Sequence, residues 1–273
     1  MSEAAAAQAE TAPEKQEEPY WKFFLKLMAV VLIFRTFFFA PFTIPSESML
    51  PGLLNGDYIV ASKWDYGFTR HSLPFSLPLI PGRIMASEPD RGDVAIFRAP
   101  PGESEDYIKR IVGLPGDQVE MRAGVLFLNG EAVEKRAIEP FVLPVSPNTA
   151  CVDEAFRART ADGGEACSYP QFLETLPDGG PSYRVLDLAQ SPQDDFGPVI
   201  VPEGSVFLMG DNRDNSMDSR FPATPGGGIG IVEQRLLIGQ ARFVAFSSDG
   251  GAEWIKPWTW FTAARWNRIG DGI

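Results

Sequence analysis

Histidine is nearly missing from this chain: His71 is the one imidazole among 273 residues. A multi-histidine metal site is therefore excluded, and a histidine-dependent triad has a single candidate base. Cysteine is almost as scarce, and Cys151 and Cys167 are too few for a thiolate zinc site. Positive charge is short as well, with 24 Lys and Arg against 36 Asp and Glu and a formal charge of -12. A nucleic-acid partner needs a basic surface to neutralise phosphates, and this composition does not supply one. Internal repeats are absent, and beyond residue 40 so are long hydrophobic runs of helical period.

What remains describes a folded, turn-rich chain. Hydrophobic residues make up 44% and charged residues 22%, enough to bury a core. The 26 glycines and 24 prolines favour short strands joined by turns over a helical bundle. Strand-like runs recur at 58–61, 94–97, 206–209 and 236–246. Asn129-Gly130 between Val125–Leu128 and Glu131–Val133 has the chemistry of a type I′ hairpin. The stretch 131–202 is richer in Pro, Asp and Gly, holds both cysteines, and reads as a subdomain inserted into a β domain of residues 41–130 and 203–273. The glycine cluster 226–230 lacks the strand-to-helix setting of a dinucleotide loop and reads as a turn.

The N-terminus is organised differently. Residues 1–19 are polar and read as a disordered leader. Tyr20 to Ala40 is apolar over the roughly 20 helical residues that span a bilayer core. Lys26 near its start and Arg35 near its end can each snorkel to an interface. The residues before Pro41 lack a small-x-small cleavage pattern, so the segment reads as a retained single-span anchor. Lys15, Lys22 and Lys26 flank its first end, whereas beyond Ala40 the next cation is Lys63, which keeps the leader cytoplasmic. The rest then lies outside the cytoplasm, where a Cys151–Cys167 disulfide is permitted, two unpaired buried thiols being the alternative.

Three segments concentrate small polar residues, charges and glycines: 45–51, 106–117 and 209–220. A serine nucleophile needs a base. His71 sits in a Thr-Arg-His-Ser-Leu-Pro loop, and a Gly-x-Ser-x-Gly elbow is missing. Lysine is the other option, provided burial lowers its pKa from about 10.4 by several units, at about 1.4 kcal/mol each. In a strand, Lys109 shares a face with Tyr107 and Ile111, the apolar setting such a base requires; an exposed strand lysine is the competing reading.

Pro-Ser-x-Ser-Met-x-Pro after an apolar span, Tyr-Ile-Lys-Arg-x-Val-Gly-Leu-Pro-Gly-Asp, and Gly-Asp-Asn-Arg-Asp-Asn-Ser-x-Asp-Ser-Arg, in that order, resemble bacterial type I signal peptidase. Gly56-Asp57-Tyr58-Ile59, Arg91-Gly92-Asp93-Val94 and the ending 265–273 are similar to the same family, so the likeness runs from about Arg35 to Ile273 with 131–202 as a variable region. The resemblance implies a mostly β fold: an antiparallel β catalytic domain with an inserted β-rich subdomain, preceded by one transmembrane helix. It implies a serine endopeptidase of the Ser/Lys type that removes signal peptides from exported preproteins, with no cofactor and no metal. By position, Ser48 is the nucleophile and Lys109 the general base. Ser216 hydrogen-bonds Lys109, and the Ser48 N–H with the Ser46 hydroxyl forms the oxyanion hole. Gly210 permits close backbone approach, and Asp218 and Arg220 form a supporting ion pair. Phe42, Ile44, Met49, Leu53, Ile59, Ile96, Tyr107 and Ile108 fall where the family lines pockets for small residues at P1 and P3.

Glu47 departs from the family's common glycine and is expected to face outward, and Gly52 replaces a common threonine. The implied location is the bacterial inner membrane, with the catalytic domain periplasmic and the lipid bilayer as a partner. Ser48 lies eight residues past Ala40, within about 26–29 Å of the outer leaflet even if extended. The tryptophans at 254, 258, 260 and 266 either reach lipid headgroups or pack on the β core. The alternatives are a specialised Ser/Lys peptidase of the pilin-processing transfer type, or an inactive membrane-tethered β domain that binds envelope partners.

Overall fold

The computed structural model describes residues 19–73, 76–177, 179–253 and 255–273. The expected leader, except for Pro19, and Trp254 of the tail lie outside the described residues.

Helix α1, Tyr20–Phe37, is apolar on every side, and nearly all of its side chains are exposed; Thr36 is its buried residue. It ends three residues short of the expected Ala40, because Phe39–Thr43 is extended and pairs as strand β1 with β2, Asp57–Ser62. Its 18 residues give about 27 Å at 1.5 Å per residue, and Lys22, Lys26 and Arg35 lie within it. No helix among the described residues is long and apolar enough to cross a membrane.

The rest is antiparallel β. Strands β3 (Phe68–Thr69) and β4 (Arg83–Ile84) pair in a small ribbon before β5 (Val94–Arg98) and β6 (Asp106–Gly113). Next come β7 (Gln118–Arg122), β8 (Val125–Leu128), β9 (Glu131–Ala132), β10 (Glu134–Pro144), β11 (Arg157–Arg159), β12 (Glu165–Thr175) and β13 (Ser182–Leu186). Strands β14 (Phe196–Ile200), β15 (Ser205–Met209), β16 (Val232–Glu233) and β17 (Leu237–Ser247) precede the short helix α2, Trp258–Thr262. Seven strands form the main sheet in the order β1-β2-β17-β5-β6-β15-β16.

Strand β5 shows why that sheet reads as continuous apolar runs. Val94 and Ile96 enter one core with Ile44, Ile59, Ile108 and Val244, while Ala95 and Phe97 enter another with Tyr66, Ile111, Val206 and Leu208. Burial on both faces removes the polar alternation of a half-exposed strand. Asn129 and Gly130 have φ of 53° and 86° between β8 and β9, both positive as a type I′ turn requires.

Strands β10, β11, β12 and β13 make a separate sheet, whereas β9 and β14, at the ends of the expected insert, pair with β8 and β7. The separate sheet therefore spans Glu134 to Leu186. It shares a core with the main body through Tyr183 and Val185 against Val112, Val119 and Phe207. Cys151 and Cys167 are disulfide-bonded, tying the loop before β11 to β12.

Candidate active site

Lys109 sits in the middle of β6, opposite Ala95 of β5, and is 4% exposed. Its Nζ donates to Ser48 Oγ at 2.7 Å and to the Ile108 carbonyl at 3.1 Å. Burial pulls the lysine pKa down to about 8, with the charges of Asp218 and Asp211 opposing. The competing picture of an exposed strand lysine is thereby overturned. Ser48, 7% exposed, opens a tight turn in which the Leu53 N–H reaches the Met49 carbonyl at 2.9 Å. Ser46 Oγ lies 3.4 Å from Ser48 Oγ, on the solvent side.

The third segment clamps that turn. Asn212 donates its backbone N–H to the Ser48 carbonyl at 3.1 Å and its Nδ2 to the Glu47 carbonyl at 3.2 Å. Gly210 runs against the nucleophile: a Cβ there would stand 2.6 Å from the Ser48 carbonyl and overlap the Ser216 side chain. Asp218 accepts from the Gly210 N–H at 3.0 Å and from Arg220 Nε at 2.9 Å, both partners of the ion pair being fully buried. Arg220 in turn donates to the Arg213 carbonyl at 2.5 Å. Asp218 thus holds backbone as well as charge.

One expected contact is not made. Ser216 is 5% exposed beside Gly210, but its hydroxyl is buried without a hydrogen-bond partner rather than bonded to Lys109. The Lys109 ammonium is directed instead to Ser48 and to its own strand. Glu47 does not face outward either. It is half-buried, and burial raises its carboxyl pKa. Burial raises the Tyr169 phenol of β12, the Val152 N–H opposes this, and the Glu47 charge adds a smaller upward push.

A cleft of about 370 Å³ opens over the two reactive atoms. Phe42, Ile44, Ile59, Ile96, Tyr107 and Ile108 line it as expected, joined by Ser46, Ser48 and Lys109. Met49 and Leu53 do not. Each is 1% exposed and packed in the core with Ile59 and Val94, because the turn after Ser48 carries the chain inward beneath the cleft. Asn215, Met217 and Gly226 complete the far wall and were not singled out from the sequence. A glycine turn beside an exposed methionine carries no local mark of its role, which long-range folding alone confers. His71 is elsewhere, in a short helical turn by Ser76.

Two further buried ion pairs brace the site. Arg110 grips Asp211 through Nε at 2.8 Å and Nη2 at 2.7 Å and lies over the Tyr183 ring at 4.2 Å. Arg213 forks onto Glu174 of β12, one arm at 2.7 Å, with both side chains buried. Glu174 lies outside all three motifs, so sequence order hides its partnership.

In the tail, Arg268 binds Asp57 at 2.7 Å and Arg265 the Asn55 carbonyl at 2.9 Å. The tail therefore docks on the β domain through its cations, while Trp258, Trp260, Phe261 and Trp266 stay exposed.

Comparison with known proteins agrees with the motifs. The family described as "Signal peptidase, peptidase S26" matches residues 18–246. A signal peptidase I of Rickettsia canadensis is 32% identical over 280 residues, covering 95% of this chain and 94% of that one. Its counterpart in Rickettsia typhi is 34% identical over 233 residues, covering 82% and 78%. A solved signal peptidase I from Enterococcus faecalis is 21% identical with a TM-score of 0.29, covering 56% of this chain and 97% of that one. The chain belongs to the S26 signal peptidase family and is a serine endopeptidase of that family.

Proposed function

We propose that this chain is a membrane-anchored endopeptidase that releases signal peptides from exported preproteins by a Ser48–Lys109 dyad. The observation that carries the reading is the 2.7 Å contact between Lys109 Nζ and Ser48 Oγ in a site where the amine is 4% exposed. With a pKa of about 8, about one amine in ten is neutral at pH 7. The neutral amine takes the hydroxyl proton as Oγ attacks the scissile carbonyl. The oxyanion that forms is stabilised by the Ser48 N–H and the Ser46 hydroxyl. When the tetrahedral intermediate collapses, the ammonium returns its proton to the departing amine, leaving an acyl-enzyme on Ser48. Lys109 then deprotonates water for the second half-reaction, and Ser48 Oγ recovers a proton as the acid product leaves.

Phe42, Ile44, Ile59, Ile96 and Ile108 give a cleft of about 370 Å³ an apolar lining, which supports small residues at P1 and P3. The anchor is supported by the exposed apolar surface of α1. Its cations stand near its ends, Lys22 and Lys26 at the first and Arg35 at the last, where they can reach headgroups. The excess of lysine at the first end supports a cytoplasmic leader and a periplasmic β domain, a compartment that permits the disulfide. The decisive experiment is cleavage of a preprotein bearing Ala at P1 and P3. Wild type cleaves once at that site and Ser48→Ala does not; turnover by Ser48→Ala would defeat the mechanism.

A further inference from the structure

A second cavity, of about 320 Å³, opens beside the catalytic cleft where α1 meets the β domain. Its lining gathers three cations from separate parts of the chain: Arg35 of α1, Lys63 just past β2, and Arg98 at the end of β5. One carboxylate stands against them among the described lining residues, Asp106, which pairs with Arg98 at 3.2 Å. Lys63 is 7% exposed, and its ammonium donates to the Ser72 carbonyl at 2.8 Å. Burial first, then Arg35 and to a lesser degree Arg98, pull its pKa down to about 8, with Asp106 opposing. Gathering like charges in a recess costs free energy that a bound anion would offset. The dyad does not use these cations.

The rim says what kind of anion fits. Leu32 faces the cavity, and Val31 and Phe34 are exposed on the same helix. An anion that arrives on an apolar chain can lay that chain along the exposed apolar side chains of α1 while its head enters among the cations. We propose that the cavity holds the phosphodiester headgroup of an anionic phospholipid, with Arg35, Lys63 and Arg98 sharing its charge. The proposal rests on the reading of α1 as the anchor, since the anchor brings lipid to the rim. Phe42 and Asp106 line both cavities, so an occupied headgroup site touches a wall of the catalytic cleft.

The test uses the full chain in neutral detergent, titrated with phosphatidylglycerol or phosphatidylcholine, with retained lipid counted by native mass spectrometry. Phosphatidylglycerol is expected to be retained at least tenfold more strongly. Arg35→Gln and Lys63→Gln should each reduce that preference at least fivefold, and Ser48→Ala should leave it unchanged. Arg35 is exposed on a helix outside the β core, so its variant leaves the fold intact even if a Lys63 variant does not. Equal retention of the two lipids overturns the proposal, as does a preference that survives Arg35→Gln, Lys63→Gln and Arg98→Gln. Complete displacement by millimolar inorganic phosphate would make this a free-phosphate site and overturn the lipid assignment. Flotation with phosphatidylcholine vesicles separates the two readings. A chain that floats without preferring phosphatidylglycerol defeats the headgroup site alone, whereas one that stays in solution defeats the anchor and the headgroup site with it.

Discussion

Gly210 and Ser216 are packed so closely that a Cβ on the glycine would overlap the serine side chain. The same Cβ would stand 2.6 Å from the Ser48 carbonyl, a backbone atom that cannot swing aside as a side chain can. Gly210→Ala should therefore displace the Ser48 carbonyl. We expect cleavage to fall at least a hundredfold with a lowered melting temperature. Adding Ser216→Gly should recover part of the lost stability. Full activity in Gly210→Ala would show that the contact is tolerated.

The pH profile follows from the lysine. Its folded-state pKa is about 8, and only the neutral amine accepts the serine proton. The kcat/KM for a model preprotein should thus climb about tenfold per pH unit below that value and level off above it. A rate flat from pH 6 to 9 would contradict lysine as the base.

Stability carries the opposite face of the same burial. A lysine at about 8 when folded and 10.5 otherwise binds fewer protons in the folded state, so wild-type stability should rise with pH across that window. Lys109→Met removes a buried ammonium while Asp218 and Asp211 keep their arginines. The variant should be inactive yet more stable at pH 7, by about 3 kcal/mol, with the rise above pH 8 reduced to the share that Lys63, also held down to about 8, contributes. Urea titrations of both proteins at pH 7 and 10 measure this.

Glu174 and Arg213 invite a double-mutant cycle. Glu174→Gln leaves a buried guanidinium without its carboxylate and should cost about 3–5 kcal/mol in urea unfolding. Pairing Glu174→Leu with Arg213→Met should recover most of it. Equal losses in the single and double variants would mean that the pair does not act as a unit.

The Cys151–Cys167 bond closes a loop of 16-residue separation. Its removal in Cys151→Ser/Cys167→Ser should cost about 3 kcal/mol. Cleavage should persist, because the bond lies outside the Ser48 cleft.

The reacting atoms could be read from the chain because their chemistry is local. Ser48 and Lys109 each sit in a distinctive run of neighbours that carries the family resemblance, whereas the apolar strand face alone left an exposed lysine as the competing reading. The Asn129-Gly130 turn was visible for the same reason, since its φ angles depend on those two residues. Met49 and Leu53 were misplaced because position after a nucleophile does not say which way a turn carries the next side chains. Ser216 was assigned a bond to Lys109 that the geometry gives to Ser48 instead.

Residue order alone settled which functional groups this protein owns: a serine, a lysine, no second imidazole, and an apolar segment ahead of them. Tertiary structure decided which of those groups meet and in what dielectric. Ser48 and Lys109, 61 positions apart, and Arg213 with the glutamate of a distant sheet that neutralises it, are brought together by shared burial of apolar faces. Such burial depends on how whole strands pack, and no short stretch of sequence encodes that sum.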